Sequence, residues 1–372
     1  MIRIAEVAIY RVDLPLIVPF SHASAGRIGA LEEIAVRVRC TNGVTGWGEA
    51  RGNAAYATGS TLVEVLDAAI RLSRSLLGYP VDRFAGAADR MDADVAGHPP
   101  AKTALDIAIH DAAARTRGVP VVDLLGGARR RQLPTDISLP FAVPEQIAAQ
   151  ARDAVHDGFR TVKVRVGDRA DADDARLAAA RRAIDGEPDG AAVTFAADAN
   201  GAWDRDEAIR RLRRWAPYRL AWIEQPVPAS DLEGLAAVTR ESPVPVMADE
   251  AVLGPAELRR LLDADAADLL HFKLAKAGGI TRLFEMTAMA DAAGKPYMIG
   301  QMDEGMLATA AAVHCGAACA ARHFEVHGYV RVRRQPFRGL TYDRGTMMVP
   351  SGPGLGVDVD DDALTLVHLA RN

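Results

Sequence analysis

One spacing constrains this chain more than any other feature. From residue 161 onward, short apolar runs each end in a polar residue, and each is followed by a helix-patterned stretch. The runs are FRTVKVRVG, AAVTFAADAN, RLAWIEQP, PVPVMADE, ADLLHFKLAK and KPYMIGQMDE. The polar residues of the first five, Lys163, Asp198, Glu224, Asp249 and Lys273, are 35, 26, 25 and 24 positions apart. One βα unit occupies about 25–30 residues, so this is the period of a parallel sheet built from successive units. Several such units, with no glycine-rich phosphate loop after the first strand, favour a closed (β/α)8 barrel over an open doubly wound sheet.

The first third is patterned differently. Residues 1–50 read as strands, IRIAEVAIYRVDL and then EEIAVRVRCTNGVTGWGEA, with Asn42-Gly43 as a hairpin signal. Residues 61–117 turn helical and alanine-rich and stop at Gly118-Val119-Pro120. This is a small α+β unit ahead of the barrel. A net charge of −5 over 372 residues gives no electrostatic case for nucleic acid or an anionic membrane. No apolar run reaches the roughly 18 residues of a membrane span, and the alternating, soon-charged N-terminus reads as a strand and not a signal peptide. Cys40, Cys315 and Cys319 are too few for a disulfide framework and fit a reducing, cytoplasmic setting. Cys315 and Cys319, in an alanine-rich helix, read as packed core.

In a barrel of this kind the chemistry lies at the carboxyl ends of the strands. Three consecutive ends are Asp198, Glu224 and Asp249. Such carboxylates would converge and repel unless a cation held them, and oxygen ligands with room for substrate and water suit Mg²⁺. The plainer alternative is that each acid caps the following helix, a role that suits aspartate better than Glu224. Basic ends flank the acids: Lys163 and Arg165 before them, Lys273 after. Metal-held carboxylate between opposed cations is an arrangement for removing a proton α to that carboxylate, with a lysine as base.

The order K-x-K/R, D-x-N, E-Q-P, D-E, K-x-x-K-x-G-G, preceded by TNGVTGWGEA, KTALDIAIHDAAAR and GVPVVDLLGG, resembles the enolase superfamily in its muconate lactonizing enzyme branch, over essentially the whole chain. The resemblance implies a modified (β/α)8 TIM barrel (residues 126–325) beneath an α+β capping domain (1–125). Residues 326–372 would then close the barrel and return to the cap. It implies one Mg²⁺ held by Asp198, Glu224 and Asp249, and Lys273 as acid/base. The mandelate racemase branch needs a histidine base on the seventh strand, and YMIGQMDEG has none.

The departure is Arg165, where the resembling branch carries its second catalytic lysine. Guanidinium stays protonated near neutrality, so Arg165 suits a clamp or an electrostatic role, and Lys163 is the remaining lysine on that side. With one good base, the expected reaction on a small organic acid or amino-acid derivative is that of a lyase or cycloisomerase. The alternatives are a racemase or epimerase of an N-substituted amino acid, and a non-catalytic binding relative. Substrate contacts are expected from His22 and Tyr56 in the cap loops, with Ser24 and Arg27 as further polar candidates, and from Glu304 and Glu325 on the last strands. Asn200 and Glu250 are expected to hold ligands and lysines in place. His271 reads either as a packed interior histidine or as a tuning neighbour of Lys273. The Glu-Val-His at 325–327 stands where dipeptide epimerases of the branch carry Asp-x-Asp, which argues against a dipeptide. By analogy the chain is a homo-oligomer with a small carboxylate substrate and neither nucleic-acid nor membrane partners.

Overall fold

The computed structural model describes residues 1–22 and 26–371; Ser24 and the His22 side chain fall outside the described residues. No helix among the described residues is long and apolar enough to cross a membrane. The cap begins with β1 (Ile4–His22), β2 (Gly26–Cys40) and β3 (Thr45–Arg51), paired antiparallel in chain order. The strand Thr365–Arg371, which follows the barrel, joins the far edge of β1.

The short β4 (Gln132–Pro134) leads into an eight-stranded parallel sheet. Its strands are β5 (Ile137–Leu139), β6 (Thr161–Arg165), β7 (Thr194–Asp198), β8 (Ile223–Glu224), β9 (Val246–Ala248), β10 (Leu269–Lys273), β11 (Tyr297–Gly300) and β12 (His323–Glu325), in chain order. The first and last are joined where the Asp136 amide donates to the Phe324 carbonyl at 2.8 Å and the Val326 amide donates to Thr135 Oγ1 at 3.0 Å. Helices cover the outside through apolar stripes, such as Ala208, Ile209, Leu212 and Trp215 of Arg205–Trp215. The barrel floor is plugged by Ala196, Trp222, Met247, Leu269 and Met298.

Two glycines of TNGVTGWGEA seat the cap sheet on the helix Pro99–Arg117. A Cβ at Gly46 would lie 2.2 Å from the Ala112 amide nitrogen, and one at Gly48 would lie 2.1 Å from the Ala104 carbonyl oxygen. Sheet and alanine-rich helix therefore meet backbone to backbone. Between them, the Trp47 amide donates to Asp111 Oδ2 at 2.8 Å.

The cap is fastened over the barrel mouth by buried acids. Glu33 accepts from the Gly305 amide at 3.1 Å, and Glu49 accepts from the Leu307 and Ala308 amides at 3.0 and 3.1 Å. These amides open the helix Met306–Ala318, whose unpaired N–H groups and dipole favour an anion. Beside them, Arg51 Nη1 donates to the Met302 carbonyl at 2.6 Å. Glu33 and Glu49 are close enough for each carboxyl to perturb the other. Burial raises both carboxyls, Glu49 to about 7, and the charge of Glu49 and Glu304 raises Glu33 further. A carboxyl raised by folding stabilises the protein while protonated, and that contribution is lost as pH climbs from its unfolded value through its folded one. Melting temperature is therefore expected to fall between about pH 5 and about pH 8, and Glu33→Gln, which keeps a neutral partner for Glu49, is expected to flatten that slope. Equal slopes in the two proteins, followed by differential scanning calorimetry, would sink this account.

Candidate active site

The strand register delivers the predicted residues to one level. Arg165 pairs opposite Asp198, and Asp198 opposite Glu224. Lys273 lies opposite Gly300, which in turn lies opposite Glu325. The helix-cap alternative for the three acids does not hold for the first two. After β7 the cap is Asp204, accepting from the Glu207 amide at 2.8 Å, and after β8 it is Asp231, accepting from the Gly234 amide at 2.8 Å. The helix after β9 starts behind Gly254, with no side-chain cap. Asp198, Glu224 and Asp249 are thus left to the cavity and its floor.

The floor is a closed circuit of charge. Lys163 Nζ lies 2.7 Å from Glu224 Oε2 and 2.8 Å from Glu325 Oε1. Glu224 Oε1 lies 2.9 Å from His271 Nδ1, and His271 Nε2 faces Glu325 Oε2 at 3.5 Å. Asp136 joins at 3.6 Å from Lys163. Burial opposes the charge on Lys163, but Glu224, Glu325 and Asp136 overcome it and hold the ammonium well above its ordinary value. Glu224 is held below the carboxylate range by Lys163 and His271 in spite of its burial. Burial pushes His271 down, toward the neutral ring. The ring leaves no space on its flank, since a Cβ at Gly300 would meet His271 Nε2 at 2.0 Å.

Above this floor a cavity is lined by Asp198 and Asp249 on one side and by Arg165 and Lys273 across the mouth. Lys273 Nζ lies 2.8 Å from Asp249 Oδ2, and Lys276 Nζ reaches both the Asp249 carbonyl and its Oδ1. These two ammonium groups hold Asp249 well below the ordinary carboxylate value against its burial. Burial acts against Lys273's charge as well, but Asp249 and Glu325 raise it. Arg165 donates to Asn200 Oδ1 at 2.5 Å and sits 3.7 Å from Asp198; partial desolvation opposes its charge, but Asp198 raises it and it stays a cation. Asn200 in turn donates to Glu250 at 2.9 Å.

Asp198 differs from the other two acids. Its burial and the charge of Glu224 outweigh Arg165 and Lys163, and it is pushed up to about 8. A cavity-lining carboxyl this short of positive charge fits a bound cation, and Asp198, Glu224 and Asp249 offer oxygen ligands of the kind a hard ion such as Mg²⁺ takes. Among the described residues, the group of acids and histidines whose possible ligand atoms lie within 4.8 Å of one another is Glu224, His271 and Glu325. The Lys163 ammonium already sits against two of those three.

Several candidates occupy other positions than the sequence suggested. Glu304 does not line the cavity: it is 1% exposed and accepts from the Arg51 and Met302 amides at 3.4 and 3.2 Å, within the cap clamp. Glu325 lines the cavity and is at the same time paired with Lys163, His271 and Ser138. Tyr56 does line the cavity, whereas Arg27 is exposed on β2. Three participants were not singled out beforehand. Asp136 precedes a three-residue strand too short to show a pattern. Lys276 was visible only as the second lysine of FKLAKAGG. Gln225, at φ 37°, accepts from the Asp249 and Ala251 amides at 3.0 and 3.1 Å and so fixes the Asp249 backbone.

Two family models match this chain: mandelate racemase/muconate lactonizing enzyme, N-terminal domain, over residues 4–126, and enolase C-terminal domain-like, over residues 146–363. The chain belongs to the mandelate racemase/muconate lactonizing enzyme family. It is an isomerase or lyase of the enolase superfamily. Muconate cycloisomerase 1 of Rhodococcus opacus is 35% identical over 98% of each chain, and the L-Ala-D/L-Glu epimerase of Clostridium acetobutylicum is 33% identical over 95% of this chain and 98% of its own. The solved dipeptide epimerase of Cytophaga hutchinsonii, complexed with Mg and the dipeptide D-Ala-L-Val, superposes with a TM-score of 0.92 at 27% identity over the whole of both chains.

Next to the mouth, a more apolar vestibule of about 620 Å³ is lined by Ile17, Val18, Phe141 and Val330 and shares Arg165, Asp303, His327 and Arg331 with the polar cavity. His327 is pushed down to about 4 by burial and Arg331, so it presents a neutral ring there.

Removing the ammonium at the centre of the floor strands three buried acids. Lys163→Ala is therefore expected to lower unfolding free energy by about 3–5 kcal/mol. Arg165→Met, at a side chain 31% exposed, should cost clearly less. Urea denaturation of the two variants decides it, and comparable losses would show that the circuit is not what holds the floor.

Proposed function

We propose that this enzyme removes the proton α to the carboxylate of a small N-substituted amino acid, with Lys273 as the base, and that its outcome is racemisation or epimerisation at that carbon. The observation that carries the chemistry is Lys273, the one lysine lining the cavity among the described residues, beside a cation-seeking acid set. The relatives carry the choice of outcome, because the epimerases among them invert an α-carbon of amino-acid derivatives without eliminating a group. Elimination or cycloisomerisation is the second reading. It is favoured by Arg165, which stands on the face opposite Lys273 where a two-base isomerase would want a lysine.

Asp198, Glu224 and Asp249 would hold Mg²⁺. When bound, the ion would neutralise charge on the substrate carboxylate as the α-proton leaves and would draw the charge of Asp249 away from Lys273. Lys273 takes the proton at Nζ from one face. Lys163 cannot serve the other face, since it is 1% exposed and fixed in the floor. The cavity-lining group on that side is the Arg165 guanidinium, which donates hydrogen bonds and fixes positive charge there. Inversion therefore needs a proton delivered from solvent water on the Arg165 face, with hydroxide or buffer left to take up the Lys273 proton, and the two enantiomers are expected to exchange at unequal rates.

Deuterium exchange at the α-carbon, followed by NMR in D₂O with Mg²⁺ over dipeptides and N-acyl amino acids, tests this. Exchange should disappear with EDTA and return with Mg²⁺, and Lys273→Ala should lower it by about 10³-fold or more. Arg165→Lys should bring the slower enantiomer closer to the faster one. Equal exchange of both enantiomers, dependent on Lys163, would overturn the one-base reading. Loss of a β-substituent without inversion would move the enzyme to the lyases.

A further inference from the structure

The residue that follows β11, Gln301, is 4% exposed and lines the cavity shared by Asp198, Arg165 and Lys273. Among the described residues neither its Oε1 nor its Nε2 has a hydrogen-bond partner. A carboxamide buried with both ends unsatisfied is costly, and native interiors rarely keep one without a use. Gly328 lies close against it: a Cβ there would come 2.5 Å from Gln301 Nε2 and 2.7 Å from the Asp303 Cα, so amide and loop backbone are packed together at this edge of the cavity.

The barrel order says what Gln301 can meet. The acid set lies on β7, β8 and just beyond β9, whereas Gln301 follows β11, past Lys273 at the end of β10. A ligand whose carboxylate is drawn to the acid side must therefore offer Gln301 some other group. An ammonium would satisfy Oε1 alone and leave Nε2 unpaired, and an anion would satisfy Nε2 alone. A neutral amide brings a donor, and the ligand that bears it also brings carbonyl oxygens as acceptors.

We propose that Gln301 is a specificity-determining residue that reads the amide of an N-acylated or peptide-linked amino acid, its Oε1 accepting the amide N–H and its Nε2 donating to an oxygen of the same ligand. This rests on the reading of the site given above and narrows its substrate class: free amino acids, betaines and hydroxy acids would leave Gln301 unpaired. The vestibule beyond Arg331 gives the acyl portion an apolar place to lie.

Binding separates this from catalysis. With Mg²⁺ present, the Lys273→Ala protein would be titrated calorimetrically with N-acetyl-leucine and with 2-acetoxy-4-methylpentanoate, the ester that replaces N–H by oxygen, each as both enantiomers. The amide is expected to bind about 10-fold or more tightly than the ester. Adding Gln301→Met should bring the two within about twofold, while Gln301→Glu, which keeps the acceptor, should retain part of the preference. Circular dichroism and melting temperature confirm that each variant is folded. Equal binding of amide and ester, a preference that survives Gln301→Met, or binding of neither probe would overturn the proposal. A probe that binds through Gln301 but never exchanges its α-proton in the wild-type enzyme would leave this inference standing and remove the proposed function instead.

Discussion

Everything at the mouth of this barrel depends on one buried ammonium. Lys163 is surrounded by Glu224, Glu325 and Asp136 within 3.6 Å, and all but Glu325 are 1% exposed. Three acids so close could not all stay ionised without it. Because Glu224 is fixed from beneath by Lys163 and from the side by His271, its orientation is set before any ligand arrives. The alternation of TVKVRVG is thereby explained. Lys163 and Arg165 share a face of β6 because that face lines the barrel interior, the deeper one neutralising the floor and the outer one reaching the cavity.

The fold was legible because barrel geometry leaves a periodic trace. Apolar strands, helix spacers and a polar residue at each strand end recur in the sequence as they recur in space, so Arg165, Asp198, Glu224, Asp249 and Lys273 could be placed together from their spacing. What escaped was local structure too short to form a pattern and contacts too distant in sequence to be inferred. Asp136 sits before a strand of three residues. Glu304 looked like a substrate contact by position, but its oxygens are turned to the amides of Arg51 and Met302. The partner that captures it comes from the cap, 253 positions away, and no spacing rule reaches that far. The pairing of Glu325 with Lys163 and His271 escaped because those residues lie on strands remote from it in sequence.

The two ends of the reaction are set by different kinds of structure. Charge beneath the cavity is tightly paired through β6, β8, β10 and β12, so the acid set and Lys273 are presented on a rigid base. The rim above β11 and β12 adds unpaired polar atoms, a neutral histidine and an apolar vestibule, which are features suited to discriminating between ligands. Asn200, Gln225 and Asp303 all take left-handed backbone conformations close to this boundary, with φ of 45°, 37° and 53°. Such conformations are uncommon for residues other than glycine, and they gather where strands hand over to the loops of the mouth.

The pairing of Thr365–Arg371 with β1 also has a bearing on how the molecule is made. Glu6 lies opposite Arg371, so the cap sheet is completed by a strand that emerges after the whole barrel has been synthesised. Until then β1 keeps an open edge, with a row of unpaired backbone groups exposed to other chains. The barrel can assemble from neighbouring units as they appear, but the sheet above it closes through one of the longest-range contacts in the chain, a kind that forms slowly. A chain released early would carry the acids and lysines of its floor beneath an unfinished roof, and its most adhesive surface would be the one that the final strand is there to cover.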